Sequence, residues 1–185
     1  MWATLNRYKD SGFTIVELLI VIVVIAILAA ITIVAYNGIQ DRARTTQTAA
    51  SIEAYTKGLM QYATDNSTYP VSHGCLGAAS KCINVANNGA VCFSLGGASD
   101  YAAFDTMMNQ YLGSNLPAPS SATYGCGAGG QYGGAYYYSA DGQSAYIYAF
   151  LKGGTDCPTV GGAKLQVSTT TDGTQYCRYI MPALS

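Results

Sequence analysis

The chain has 185 residues, enough for one domain of ordinary size plus an apolar arm. Charged residues are only 10% of it and the formal net charge is −1, so composition offers no basic footprint for nucleic acid and no polybasic anchor for anionic lipid. Gly (21) and Tyr (16) are abundant instead, which directs attention to turns and to an aromatic-rich sheet.

Residues 1–12, MWATLNRYKDSG, are polar and carry Arg7 and Lys9. By the positive-inside tendency this end stays in the cytoplasm and the rest of the chain goes across. Leu18 to Gln40 then runs for 23 residues without a charge. At about 1.5 Å per helical residue this spans a hydrocarbon core of about 30 Å. Glu17 stands at its upstream edge. A secretory signal cut after Ala29-Ala30 and a plain uncleaved anchor are the competing readings.

No Pro interrupts residues 13 to 69, and the helical pattern continues past the apolar run. Ile52, Tyr55, Leu59 and Tyr62 recur at spacings of three and four and form one stripe. Arg42, Arg44, Gln47, Glu53 and Lys57 take the opposite side. Asp65-Asn66-Ser67 ends the helix and Pro70 blocks continuation. Phe13 to Asp65 would be about 80 Å long, apolar all round at first and amphipathic later.

Residues 71–98 are rich in Gly, Ala, Asn and Ser and read as a crosslinked loop, with one short strand at Val91–Leu95. Ser99 or Asp100 caps a short helix through Leu112, with Phe104, Met108 and Tyr111 on one face. The stretch 113–134 is turn-rich and reads as irregular. From Ala135 the period changes to two. AYYYS and SAYIYAFL form a hairpin around Asp141-Gly142, and KLQVSTT and QYCRYI a second one around Asp172-Gly173. The fold class is therefore α+β: a long N-terminal helix, membrane-embedded and then amphipathic, packed on a small antiparallel sheet.

All six cysteines, at 75, 82, 92, 126, 157 and 177, lie beyond the apolar run. That suggests disulfides formed outside the cytoplasm, the alternative being reduced cysteines in a cytosolic domain. A zinc site fits poorly, with no C-x-x-C and a single His73. Fifteen pairings are possible. Pairs near in sequence are favoured: Cys75–Cys82, Cys92–Cys126 and Cys157–Cys177, of which the last has hairpin support.

The order Gly12-Phe13-Thr14-Ile15-Val16-Glu17-Leu18, after a short basic leader and before an apolar helix, resembles the type IV pilin and type II secretion pseudopilin family. Tyr62-x-x-Asp65-Asn66-x-x-Tyr69-Pro70 is similar to that family's helix end, and Tyr136-Tyr137-Tyr138-Ser139 with Asp141-Gly142 to its sheet entry. The resemblance implies the pilin fold and a division into a 1–12 leader, a 13–36 transmembrane and filament-core helix, its 37–66 amphipathic continuation, and a 67–185 disulfide-stabilised head. It implies that a prepilin peptidase cuts between Gly12 and Phe13 and methylates the Phe13 amine. An assembly platform with its ATPase would extract the subunit from membrane lipid into a filament of identical copies. Ala26 and Val34 stand where the family often has a helix-breaking Gly and Pro, so a more continuous core helix is expected.

Glu17 then has two readings. It is a solvated carboxylate at headgroup level, or it meets the new Phe13 amine of a neighbouring copy during assembly. Opposite charges about 4 Å apart gain about 4 kcal/mol at an effective dielectric of 20, offset by desolvation, which makes such a pair a device for register.

No enzyme constellation is apparent, and no cofactor is expected. Gly125–Gly130 reads as a flexible loop, not a phosphate cradle, and His73 as a surface-loop histidine. Asp141, Asp156 and Asp172 sit at turns, where Asp is common for its own hydrogen bonding. A calcium site among them is the alternative, since some pseudopilins bind calcium. Asn66-Ser67-Thr68 fits the glycosylation pattern and equally a helix cap. Alternation would send half of Tyr132, Tyr136, Tyr137, Tyr138, Tyr146 and Tyr148 inward and half outward, where they could bind a surface or a neighbouring subunit.

Three functions are consistent with these features. The first is a subunit of an extracellular type IV pilus for adhesion, twitching motility or DNA uptake, resident in the cytoplasmic membrane with its head outside the cytoplasm until assembly. The second is a pseudopilin of a type II secretion system. The third, from another class, is a membrane-anchored binding domain that never polymerises.

Overall fold

A single unbroken helix, α1, runs from Ile15 to Asn66. It belongs to a computed structural model that describes residues 12–77, 83–85, 98–120, 122–126, 130–171 and 173–184. The chain divides into two compact units, residues 1–40 and 41–185.

In the first unit α1 is helical through both Ala26 and Val34, as their side chains predict in the absence of Gly or Pro. The large apolar side chains described between Ile15 and Ile33 are all at least 47% exposed. A helix apolar on every face, with none of it covered, requires lipid or other helices as its solvent.

In the second unit the rest of α1 is amphipathic. Thr48, Ser51, Ile52, Tyr55, Thr56, Leu59 and Ala63 are buried at spacings of three and four, while Arg42, Arg44, Gln47 and Lys57 are exposed. Tyr62, expected in the buried stripe, is half-buried and meets Tyr111 edge-on at 5.7 Å. Two hydroxyls of the buried stripe bind the segment Pro117–Ser120. Ser51 donates to the Pro117 carbonyl at 2.9 Å, and Thr48 accepts from the Ser120 N–H at 3.2 Å. Prolines have no N–H to join a ladder, so side chains of α1 hold this stretch instead.

A five-stranded antiparallel sheet receives α1. Its strands are β1 (Ser72–Cys75), β5 (Ala135–Ser139), β6 (Tyr146–Lys152), β7 (Lys164–Thr171) and β8 (Thr174–Ile180), in the order β1-β5-β6-β8-β7. The two hairpins read from alternation are β5–β6, with Tyr137 opposite Ile147, and β7–β8, with Ser168 opposite Cys177. Between Leu165 and Val167 the register of β7 shifts by a bulge. Helix α2 (Ala98–Leu112) packs on β1. Its Phe104 lies between Tyr55 and Tyr137, ring centroids 6.0 and 5.0 Å away, so one three-ring stack ties α1, α2 and β5 together. The core continues through Ile147, Leu151, Cys177 and Tyr179.

Two expectations about irregular chain are corrected. A three-stranded sheet, β2-β4-β3, is formed by β2 (Ile83–Val85), β3 (Thr123–Cys126) and β4 (Gly130–Gly133), so the 113–134 stretch is partly strand. Gly conceals the alternation there, but a backbone ladder needs no side chains. Similarly, β1 and β2 lie within the stretch read as loop. The strand expected at Val91–Leu95, like residue Asp172 of the second turn, lies outside the described residues. Strands β3 and β4 lie against β6 and β8. Tyr136, Tyr148 and Phe150 are buried, although they alternate with the residues of the helix-side core. Alternation therefore sets which face a tyrosine takes but not its exposure: Tyr138 is exposed and Tyr146 half-buried. The side chain of Tyr132 is outside those described.

Candidate functional site

The residues expected to carry function gather at the start of α1. Thr14 is the last residue before the helix and Glu17 lies in its first turn. The Thr14 N–H donates to Glu17 Oε2 at 2.8 Å and the Thr14 hydroxyl to the same oxygen at 2.7 Å. In return the Glu17 N–H donates to Thr14 Oγ1 at 3.3 Å. This is a capping box, in which each residue satisfies a backbone donor that the helix end leaves open. The carboxylate is thereby fixed over the end of the helix that begins just after Phe13. Both bonds from Thr14 end on Oε2, so Oε1 is the atom open to a further donor among the described residues. Phe13 itself is 81% exposed, and no Cβ contact restricts Gly12. The expected cut would therefore place a new amine one residue before the group that already holds Glu17. The Thr14-x-x-Glu17 pattern before an apolar run is the sequence signal for the box, and reading Glu17 as a lone charge passes over it.

Further along, the Thr32 hydroxyl donates to the Ala29 carbonyl at 2.9 Å, so this polar group of the uncharged run is satisfied within its own helix. At the other end, Asn66-Ser67-Thr68 forms the helix stop. The Asn66 side-chain amide donates to the Tyr62 carbonyl at 2.9 Å, Ser67 adopts φ 57°, and the Thr68 hydroxyl donates to the Gly142 carbonyl at 3.0 Å. The hairpin turn of β5–β6 is docked there.

The remaining candidates are dispersed. Asp141 Oδ1 accepts the N–H groups of Gln143 and Ser144 at 2.9 and 2.8 Å, and these bonds hold its carboxyl below the usual range. Asp156 is exposed in a loop, and Asp172 is outside the described residues. His73 is not a loop residue: it is half-buried in β1, opposite Tyr138. Gly125 and Gly130 belong to β3 and β4 and not to a free loop; 127–129 are outside the described residues. Cys157 and Cys177 are joined by a disulfide with Cα atoms 5.7 Å apart. Cys75 is disulfide-bonded as well, while the pairs expected with Cys82, Cys92 and Cys126 involve residues or side chains outside those described.

A family model for the prokaryotic N-terminal methylation motif matches residues 7–33. Type II secretion system core protein G of Pseudomonas aeruginosa is 35% identical over 66 residues, 36% of this chain and 46% of that protein. Its counterparts in Klebsiella michiganensis and Dickeya chrysanthemi are 34% and 33% identical, over 37% and 40% of this chain and 48% of each relative. The chain thus spans about half the length of the curated relatives it matches. No solved structure matches it. A methylation motif, a capped and uncharged helix, and an antiparallel sheet receiving the helix's second half together are the features by which this chain is similar to the type IV pilin and type II secretion pseudopilin family.

Proposed function

We propose that this protein is a structural filament subunit of the pseudopilin type, and not an enzyme. Residues 13–36 hold it in the cytoplasmic membrane with its head outside the cytoplasm. A prepilin peptidase cuts between Gly12 and Phe13 and methylates Phe13, and an ATP-driven platform extracts it into a short helical fibre of identical copies for protein secretion. The observation that carries the reading is the capped carboxylate. Glu17 keeps its cap through Oε2 while Oε1 receives the Phe13 amine of a neighbour, which sets register as one subunit enters after another. The names of the relatives support the secretion role over the pilus role.

The second reading is a subunit of a surface type IV pilus serving adhesion, twitching motility or DNA uptake. A head carrying disulfides at both Cys75 and Cys157–Cys177 favours it, because such bonds suit long exposure outside the cell. The matched stretches cover 36% to 40% of this chain in the relatives named above.

The test begins with the mass and N-terminal sequence of the mature protein. A start at methylated Phe13 is expected. An intact Met1, or a cut beyond Ala30, would reduce the protein to a non-polymerising anchored domain. Electron microscopy of sheared cell surfaces then separates the first two readings, long filaments indicating a pilus and their absence, with fibres formed only on overexpression, indicating a pseudopilus.

A further inference from the structure

The first charge after the uncharged run is Asp41, and the fold places it between cations from two elements. Lys152, the last residue of β6, brings its Nζ 2.5 Å from Asp41 Oδ2, and Arg44 brings a guanidinium nitrogen 3.6 Å from Oδ1. The Asp41 side chain is only 20% exposed, whereas Arg44 and Lys152 remain 44% and 54% exposed. Arg42, next in sequence to Asp41, is exposed as well. Two of the chain's nine cations thus flank one carboxylate, a surplus of one positive charge. Composition excluded a polybasic run, and none exists. Folding assembles the cluster by carrying Lys152 across 111 positions of sequence.

We infer that this cluster is a binding site for the phosphate of an anionic phospholipid headgroup in the leaflet facing the head. The inference rests on the reading of the uncharged run as membrane-spanning. Residues directly beyond such a run stand at headgroup level by chain connectivity alone. Lys152 donates to Asp41 and Arg44 is ion-paired with it at longer range, and each has further N–H groups, a guanidinium having five and an ammonium three. Asp41 pairs with both cations, Arg44 at Oδ1 and Lys152 at Oδ2. The subunit waiting in the membrane is thereby held by two devices, the apolar run and a headgroup clasp. Extraction into a filament requires release of the clasp.

The test uses the full chain in sealed vesicles of phosphatidylcholine alone and of phosphatidylcholine with phosphatidylglycerol. Flotation first reports insertion. A chain that floats with neither vesicle overturns the membrane reading and the clasp with it. For the inserted chain, a membrane-impermeant amine reagent is applied, and labelling of Lys152 is compared by mass spectrometry with that of Lys57. Lys57 is an internal reference because it is also exposed and ion-paired, to Glu53. The expected result is a Lys152 to Lys57 labelling ratio lower by roughly fivefold in the anionic vesicles, restored by high salt and largely restored in Arg44→Gln. An equal ratio in both vesicles, or protection that tracks protein density instead of lipid charge, overturns the inference; the latter would assign the cluster to a second copy of the chain.

Discussion

A Cβ placed on Gly74 would stand 2.3 Å from Cδ1 of Phe104. The ring cannot retreat, because it is fully buried and stacked between Tyr55 and Tyr137. Gly74→Ala is therefore expected to cost about 2–4 kcal/mol and to lower the melting temperature by roughly 5–15 °C. Gly38→Ala is the control, since its Cβ would meet nothing within 4 Å. Thermal unfolding of the two variants in the same detergent checks the contrast, and equal melting temperatures would show that the stack is not rigid.

The capping box allows the two roles of Glu17 to be separated. Thr14→Val breaks the reciprocal hydroxyl bonds but keeps the charge, at a helix cost of about 1 kcal/mol. Glu17→Gln retains an acceptor for the Thr14 N–H but removes the charge. Processing at Gly12–Phe13 is expected to continue in both. Sedimented fibre yield is expected to fall modestly in Thr14→Val and to be lost in Glu17→Gln. If Thr14→Val proves as damaging, Glu17 is only a cap.

Burial pushes the Tyr55 hydroxyl up to about 12, and raises Tyr137 and Tyr179 as well. In the unfolded chain these groups ionise near pH 10. The folded state therefore keeps protons that the unfolded state loses, and stability is full below about pH 10 and declines as pH rises towards 12. The slope approaches about 1.4 kcal/mol per pH unit for each such tyrosine. Urea unfolding at pH 9 and pH 11 checks this, together with tyrosinate absorbance. An unchanged midpoint would contradict it.

The disulfide between Cys157 and Cys177 closes a loop with a sequence separation of 20. Its removal in Cys157→Ala/Cys177→Ala is expected to cost about 3 kcal/mol, or about 10 °C of melting temperature. Calorimetry of the oxidised double variant isolates this bond, because the disulfide at Cys75 remains intact. A loss below about 1 kcal/mol would show that the Tyr179 and Ala149 side of the sheet holds that end of the chain unaided.

The parts legible in the sequence are those written in long periods or in an ordered motif. A 52-residue helix without Pro, two hairpins with alternating apolar residues, and the Gly12-Phe13 to Glu17 order need no neighbour to be recognised. Strand β1 is not legible, because Ser72-His73-Gly74-Cys75 has no propensity to reveal it. It is a strand because β5 offers a ladder and Phe104 needs the space above Gly74. The Asp41–Lys152 pair is hidden for a similar reason: no local pattern connects residues 111 apart. The capping box is fully legible. It escapes notice when Glu17 is weighed against the membrane and not against Thr14, three residues away.

The register shift in β7 has a consequence at the scale of many molecules. Among the described residues this strand pairs with β8 on one side only, so its other side offers a row of backbone donors and acceptors. Identical heads crowded along a fibre would meet such rows at very high local concentration, the condition under which sheets fuse edge to edge. The bulge between Leu165 and Val167 breaks the straight template, and Lys164 puts a charge at its entrance. In the proposed fibre, heads could therefore crowd together without their sheets fusing edge to edge.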